Sequence, residues 1–293
     1  MHTSVYHYRY ENNFVNEKYH MLLRLVLNYF NIYIIRRDLY NFLEKNEKFH
    51  SANRWIKSNV PTELKNFILN NLESSQSQLQ QELLVLYLIQ GIKTGYIDEI
   101  KLRQNCTERH FFVEFGATNG ITLSNTYILE KYFNWSGILS EPAKCWHEEL
   151  KNNRQSTIDN RCVWSKTGEL LTFSESAIAE HSSIFGFSRL ETDVEIPIAE
   201  YKVETISLND LLDFHNAPSK IDFISIDTEG SEYEILRTFD FFKFEVVFFA
   251  IETSHNESKI KDLMLQNGYS QIYSSASGWD RWFIKNSYLH LLS

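Results

Sequence analysis

The stretch Phe111–Gly120, FFVEFGATNG, decides how this chain is read. Its first five residues, apolar apart from Glu114, have the pattern of a short strand buried in a parallel sheet. Gly116 and Gly120 then supply two permissive turns where a helix can begin. In open α/β sheets, ligand crevices lie outside the carboxyl ends of the strands, where glycines let backbone approach and a carboxylate can meet polar groups. An ordinary strand-to-helix connection has the same signature, so the meaning of this stretch rests on its partners.

From His110 onward, short β-rich runs alternate with helical ones, the pattern of a doubly wound α/β sheet that is mostly parallel. Strands are predicted at Phe111–Phe115, Gly137–Ser140, Arg161–Trp164, Ile221–Ile226 and Glu245–Ile251. Two more, Ser270–Tyr273 and Arg281–Lys285, suit an antiparallel edge pair. Helices are predicted at Ser124–Tyr132, Ala143–Asn152, Leu208–Phe214, Glu232–Thr238 and Ser258–Asn267. Ser207 with Asp210, and Ser231 with Glu234, fit the capping box of a hydroxyl followed three residues later by an acid. Gly168 to Glu204 shows no clear helix and reads as inserted strands and loops of the kind that shape a substrate pocket.

Residues 1–105 read as a helical N-terminal extension ahead of a domain at 106–293, with helices at Met21–Ile35, Pro61–Leu72 and Gln80–Gln90. This region suits a helical cap or the contact of a homo-oligomer. Met21–Ile35 carries Arg24, Asn28 and Asn31 and falls short of the roughly 20 residues a membrane span needs, so no transmembrane segment is expected. The late apolar stretch with no small-residue cleavage site after it does not resemble a signal peptide. A net charge of −9 argues against a broad nucleic-acid face. Three cysteines without a C-x-x-C spacing indicate neither a disulfide framework nor a zinc site, and fit a cytoplasmic protein.

Four acids, Glu114, Glu141, Asp227 and Glu252, stand at or beside the carboxyl ends of apolar runs. Parallel strands bring those ends to one edge, and burying the four together without partners would be costly. A solvated, ligand-filled crevice is the implication, although each acid taken singly also suits a helix cap. The step from Glu114 to Glu141 is 27 residues, somewhat more than the roughly 20 of the dinucleotide fingerprint, whose second acid holds ribose hydroxyls. The G-x-G-x-x-G pattern itself is missing, since Gly116 is followed by Ala117, Thr118 and Asn119. Without a pyrophosphate to cradle, no middle glycine is needed, and Thr118 is expected to cost nothing there. An adenosine bearing a sulfonium amino acid suits the same acids. A nucleotide-sugar oxidoreductase or epimerase, and a non-catalytic interaction module of the same fold, are the competing readings.

These residues resemble FkbM-type methyltransferases, S-adenosyl-L-methionine-dependent enzymes of the class I Rossmann-like fold that act chiefly on hydroxyl oxygens. The likeness runs through FVEFGATNGITLSNTYILEKYFNWSGILSEPAKCWHEEL at Phe112–Leu150, CVWSKTGELLTF at Cys162–Phe173, VETISLNDLL at Val203–Leu212 and IDFISIDTEGSEYEIL at Ile221–Leu236. With the helix SQLQQELLVLYLIQG before the first strand, it spans about Gln76 to Lys285. The resemblance implies that Glu114, Gly116, Ala117, Asn119 and Gly120 form the donor loop and that Glu141 is the ribose acid. It also implies that Val163 and Trp164 lie by the adenine and that Asp227 and Glu229 belong to the reaction side.

Glu252 ends the next strand, and an oxygen-rich pair of Asp227 and Glu252 there would suit Mg²⁺. Relatives often carry Glu-His-Asn after the fifth strand, whereas this chain reads Glu252, Thr253, Ser254, His255, Asn256, so His255 is displaced from the expected place. The implied acceptor is a hydroxyl on a sugar, glycan or small metabolite. Tyr273, Trp279 and Trp282 suit either stacking on it or the core.

Overall fold

The computed structural model describes residues 48–100, 109–176, 182–184, 199–253 and 256–292. It divides the chain after Phe49, and the elements named in it belong to the unit His50–Ser293. Met21–Ile35 and His255 lie outside the described residues.

A seven-stranded mixed sheet organises this unit. Its strands are β1 Phe111–Phe115, β2 Ser136–Ser140, β3 Thr157–Asp159, β8 Lys220–Ile226, β9 Glu245–Glu252, β10 Tyr269–Ile272 and β11 Asp280–Lys285, in the spatial order β10-β11-β9-β8-β1-β2-β3. The five strands from β9 to β3 are parallel, and β11 runs antiparallel to both β9 and β10. The chain leaves β1 to one side for β2 and β3, then returns to the other side with β8. The order therefore reverses between β1 and β8, the place where open α/β sheets form crevices.

Alternate strand residues serve two cores. Phe112, Leu139, Phe223, Phe248 and Trp282 face one side, where they join Leu64, Phe67 and Ile68 of α1 (Thr62–Asn70) and the wholly buried α2 (Gln81–Leu88). Val113, Ile138, Ile224, Phe249 and Phe283 face the other, with Leu211 of α6 (Leu208–Phe214), Leu236 of α7 (Glu232–Leu236) and Met264 of α8 (Glu257–Gln266). Covering on both faces is why β1, β8 and β9 place apolar residues at successive as well as alternate positions.

Two expectations change. The third parallel strand is Thr157–Asp159, which the sequence reading passed over. Arg161–Trp164, predicted to fill that place, instead supplies β4 (Cys162–Trp164) of a second sheet, ordered β4-β7-β5-β6 with β5 Leu170–Glu175, β6 Ser183–Ile184 and β7 Ala199–Ser207. The inserted segment thus builds a separate small sheet. Of the two capping boxes, Ser207 does accept from the Asp210 amide at the start of α6. Ser231 instead donates to Thr228 Oγ1, and Glu234 pairs with Arg237. Among the described residues no helix is long and apolar enough to cross a membrane.

Candidate active site

The turn after β1 is held by the protein's own groups. The Gly116 amide continues the β1–β2 ladder by donating to Ser140 O at 3.1 Å. Gly116 has φ +72, and a Cβ there would stand 2.2 Å from the carbonyl oxygen of Asp227, so only glycine lets the first and fourth parallel strands end this close together. At Gly120, φ +80, a Cβ would meet Arg154 Cγ at 2.6 Å and Leu150 Cδ1 at 2.7 Å. Asn119 shapes the same turn, its Oδ1 accepting from the amides of Ile121 and Thr122. Ala117 is buried beneath it.

Thr118 corrects an expectation: it takes φ +46, and a β-branched residue in the left-handed region costs on the order of 1–2 kcal/mol. Its amide donates to Glu141 Oε2 at 2.8 Å, which helps to hold the strained turn.

Glu114 is 2% exposed and committed to the loop. Its carboxylate accepts from Ser124 Oγ at 3.0 Å, from the Asn125 amide at 2.6 Å and from Thr126 Oγ1. Arg154 Nη1 lies 3.6 Å away. Arg154, at the end of α5 (His147–Asn153), is itself buried and also donates to Glu130 at 3.0 Å, Gly120 O at 3.1 Å and Thr126 Oγ1 at 2.9 Å. One guanidinium thus ties α4 (Tyr127–Phe133), its preceding loop and α5 together. The sequence reading missed Arg154. Its acceptors lie 24 to 34 positions away along the chain, and no local pattern marks it.

Glu141 follows β2 and is 4% exposed. Beyond the Thr118 amide it accepts from the Ala143 amide at 2.8 Å. Burial pushes its carboxyl up to about 7 against those two hydrogen bonds, and the negative charges of Glu175 and Glu114 add to the rise. Such an acid is stabilised by neutral hydrogen-bond donors or by a cationic ligand. Both are what a ribose and a sulfonium nucleoside present.

Asp227 and Glu252 end the adjacent strands β8 and β9. One carboxylate oxygen from each of Asp227, Glu229 and Glu252 lies within 4.8 Å of the others. Asp227 is only partly covered, yet burial of its carboxyl pushes it up to about 8, with the Glu229 charge the next cause and a hydrogen bond with Glu252 opposing. Glu229 adopts φ +56, a conformation that costs a non-glycine residue roughly 1–3 kcal/mol and clusters at ligand sites. The turn carrying it is braced by Glu232, whose Oε1 accepts from the amides of Thr228 and Gly230. These three carboxylates form an oxygen-only set of the kind that holds a hard divalent cation.

Val163 and Trp164 lie in the second sheet. Val163 is buried in the core with Val113, Ile138 and Ile206, and Trp164 packs against Cys162 and Phe173. Trp282 is fully buried and stacks on Trp55 at 5.8 Å, which places it in the core.

The edge therefore combines a glycine turn, a buried acid bonded to two backbone amides and a three-carboxylate corner. The carboxylates of Asp227, Glu229 and Glu252 favour an uncharged or positive ligand over a pyrophosphate. S-Adenosylmethionine fits these residues. Comparison with curated proteins finds no match. Residues 114–285, well over half of the chain, match the methyltransferase FkbM domain, and the match runs from the first strand-end acid to the last strand. The chain belongs to the FkbM methyltransferase family.

Proposed function

We propose that this methyltransferase uses S-adenosylmethionine to methylate a hydroxyl of a sugar, glycan or small metabolite on a class I Rossmann-like domain. The observation that carries the reading is Glu141: a buried carboxylate at the end of β2, pushed up to about 7 and bonded to the strained turn after β1 through Thr118. The parallel order β3-β2-β1-β8-β9 repeats the 3-2-1-4-5 course of the nucleotide-binding sheets.

When bound, S-adenosylmethionine supplies an electrophilic methyl carbon. Glu141 would accept hydrogen bonds from the ribose hydroxyls, and the Gly116–Gly120 turn would hold the nucleoside. Asp227 and Glu252 face the acceptor and share a proton in the free protein. A sulfonium donor bound nearby would lower Asp227, placing it to accept the hydroxyl proton while the methyl group passes from sulfur to the oxygen and the donor leaves as a neutral thioether. Positioning supplies much of the rate. A divalent ion such as Mg²⁺ on Asp227, Glu229 and Glu252 is an alternative way to acidify the same hydroxyl.

A screen with donor carrying a labelled methyl group, run on glycan, lipid and metabolite fractions with and without a chelator, tests this reading. The expected product is an O-methyl ether that survives mild base, whereas a carboxylate methyl ester would not. Loss of all transfer in the chelator selects the metal route, and undiminished transfer selects carboxylate base catalysis. Labelling confined to amines or carboxylates would overturn the hydroxyl assignment.

A further inference from the structure

The helices before β1 lie outside the segment matched to the family, 114–285, yet they press on the strand partner of Glu252. Three contacts make the connection. Gln81 Nε2, at the start of α2, donates to Asp280 Oδ2 at 2.7 Å, across 199 positions of chain. Leu79 sits so close to the turn before β11 that a Cβ on Gly278 would stand 2.8 Å from its Cδ2. Trp55 stacks on Trp282.

The grip of Gln81 is itself braced. Gln81 Oε1 accepts from the Leu79 amide, and its neighbour Gln80 is held in the left-handed region at φ +63. Gln80 Oε1 accepts from Trp55 Nε1 and Arg54 Nη2, both at 2.9 Å.

Asp280 is the cross-strand partner of Glu252 in the β9–β11 ladder. Directly opposed residues of an antiparallel pair project to the same face, with Cβ atoms about 4.5–5.5 Å apart. Next to them, Thr253 fastens β9 to the same turn: its amide and its hydroxyl both reach Trp279 O, at 3.3 and 3.1 Å. The turn 277–280 thus sets where the end of β9 lies, and Leu79 and Gln81 set where that turn lies.

We propose that Asp280, gripped by Gln81, is a positioning residue that fixes Glu252 for methyl transfer. The inference rests on the reading of Asp227 and Glu252 as the transfer end. It separates the chain's two tasks: donor binding belongs to the Gly116–Glu141 side, and transfer depends additionally on residues that precede the matched stretch 114–285.

The test uses the full-length protein, S-adenosylmethionine and the acceptor found by the labelled screen. Gln81→Leu removes the donor to Asp280, Asp280→Asn keeps the shape and removes the charge, and the pair Gln81→Glu with Asp280→Asn restores a hydrogen bond with reversed polarity. Both single variants are expected to lower kcat at least about tenfold while the donor Kd stays within about twofold of the parent, and the pair to recover most of the loss. Unchanged kcat in the single variants would overturn the proposal. So would a rise in donor Kd that accounts for the whole loss, because Asp280 would then be holding the fold generally. Failure of the parent protein to bind donor would refute the methyltransferase mechanism itself, an outcome distinct from either.

Discussion

Glu141 and Asp227 keep their protons to about pH 7 and 8, because burial and neighbouring acids disfavour their charges. Asp280, also buried, is raised to about 6. All three bind a proton more tightly folded than unfolded. Their contribution to stability is complete below the ordinary carboxylate range near 4 and is lost as pH rises through the folded values. The opposite group of acids includes Asp159, held low despite burial by Arg161 and His215, and Glu245, held low by Tyr288 and Lys285. They weaken the fold only as pH falls below about 4. The ligand-free protein is therefore expected to lose several degrees of melting temperature between about pH 5 and pH 8, with Glu141→Gln and Asp227→Asn together flattening the slope. A melting temperature that rises over that interval would contradict the placement of these acids.

At the scale of elements, the glycine loop after β1 owes its shape to packing within the protein. Arg154 is the common partner of Glu114, Glu130, Gly120 and Thr126. Removing one partner from a buried ion pair costs about 3–5 kcal/mol, because the remaining charge stays buried. Arg154→Met is expected to destabilise the protein by that much in chemical denaturation. Arg154→Lys should recover only part, since a single ammonium cannot reach acceptors arranged around a planar fork. A loss under about 1 kcal/mol for Arg154→Met would show that the loop is held elsewhere.

The same scale shows what sequence could reveal. β1, β8 and β9 were legible because runs of five to eight residues that are mostly apolar are a local signal, and the strand-end acids followed from it. β3 was not, since Thr157–Asp159 has only three residues and is made a strand by Ile138 to Ser140 alongside it. Cys162–Trp164 has the better strand composition and belongs to another sheet, a choice settled by its tertiary partner β7. The strain at Thr118 was equally hidden, because the left-handed turn is imposed by Gly116 against Asp227 and by Glu141, both outside the local stretch.

Over the whole molecule, the proposed donor side lies in the single stretch Glu114–Glu141, while the proposed acceptor side is assembled from segments far apart. Asp227, Glu229 and Glu252 meet because β8 and β9 are neighbours, and Asp280 reaches them because β11 turns back beside β9. The helices around Trp55 and Gln81 join that side through contacts no motif announces.

The central claim is that the glycine turn and Glu141 bind a sulfonium nucleoside. Isothermal titration of the full-length protein with S-adenosylmethionine, its demethylated product and a nicotinamide dinucleotide, repeated on Glu141→Gln, tests it most directly. The account predicts saturable binding of the first two, none of the third, and a loss of about 10- to 100-fold on substitution, as for one or two hydrogen bonds to a charged acceptor. No heat of binding with either sulfur nucleoside, or equal affinity in the Glu141→Gln variant, would contradict it.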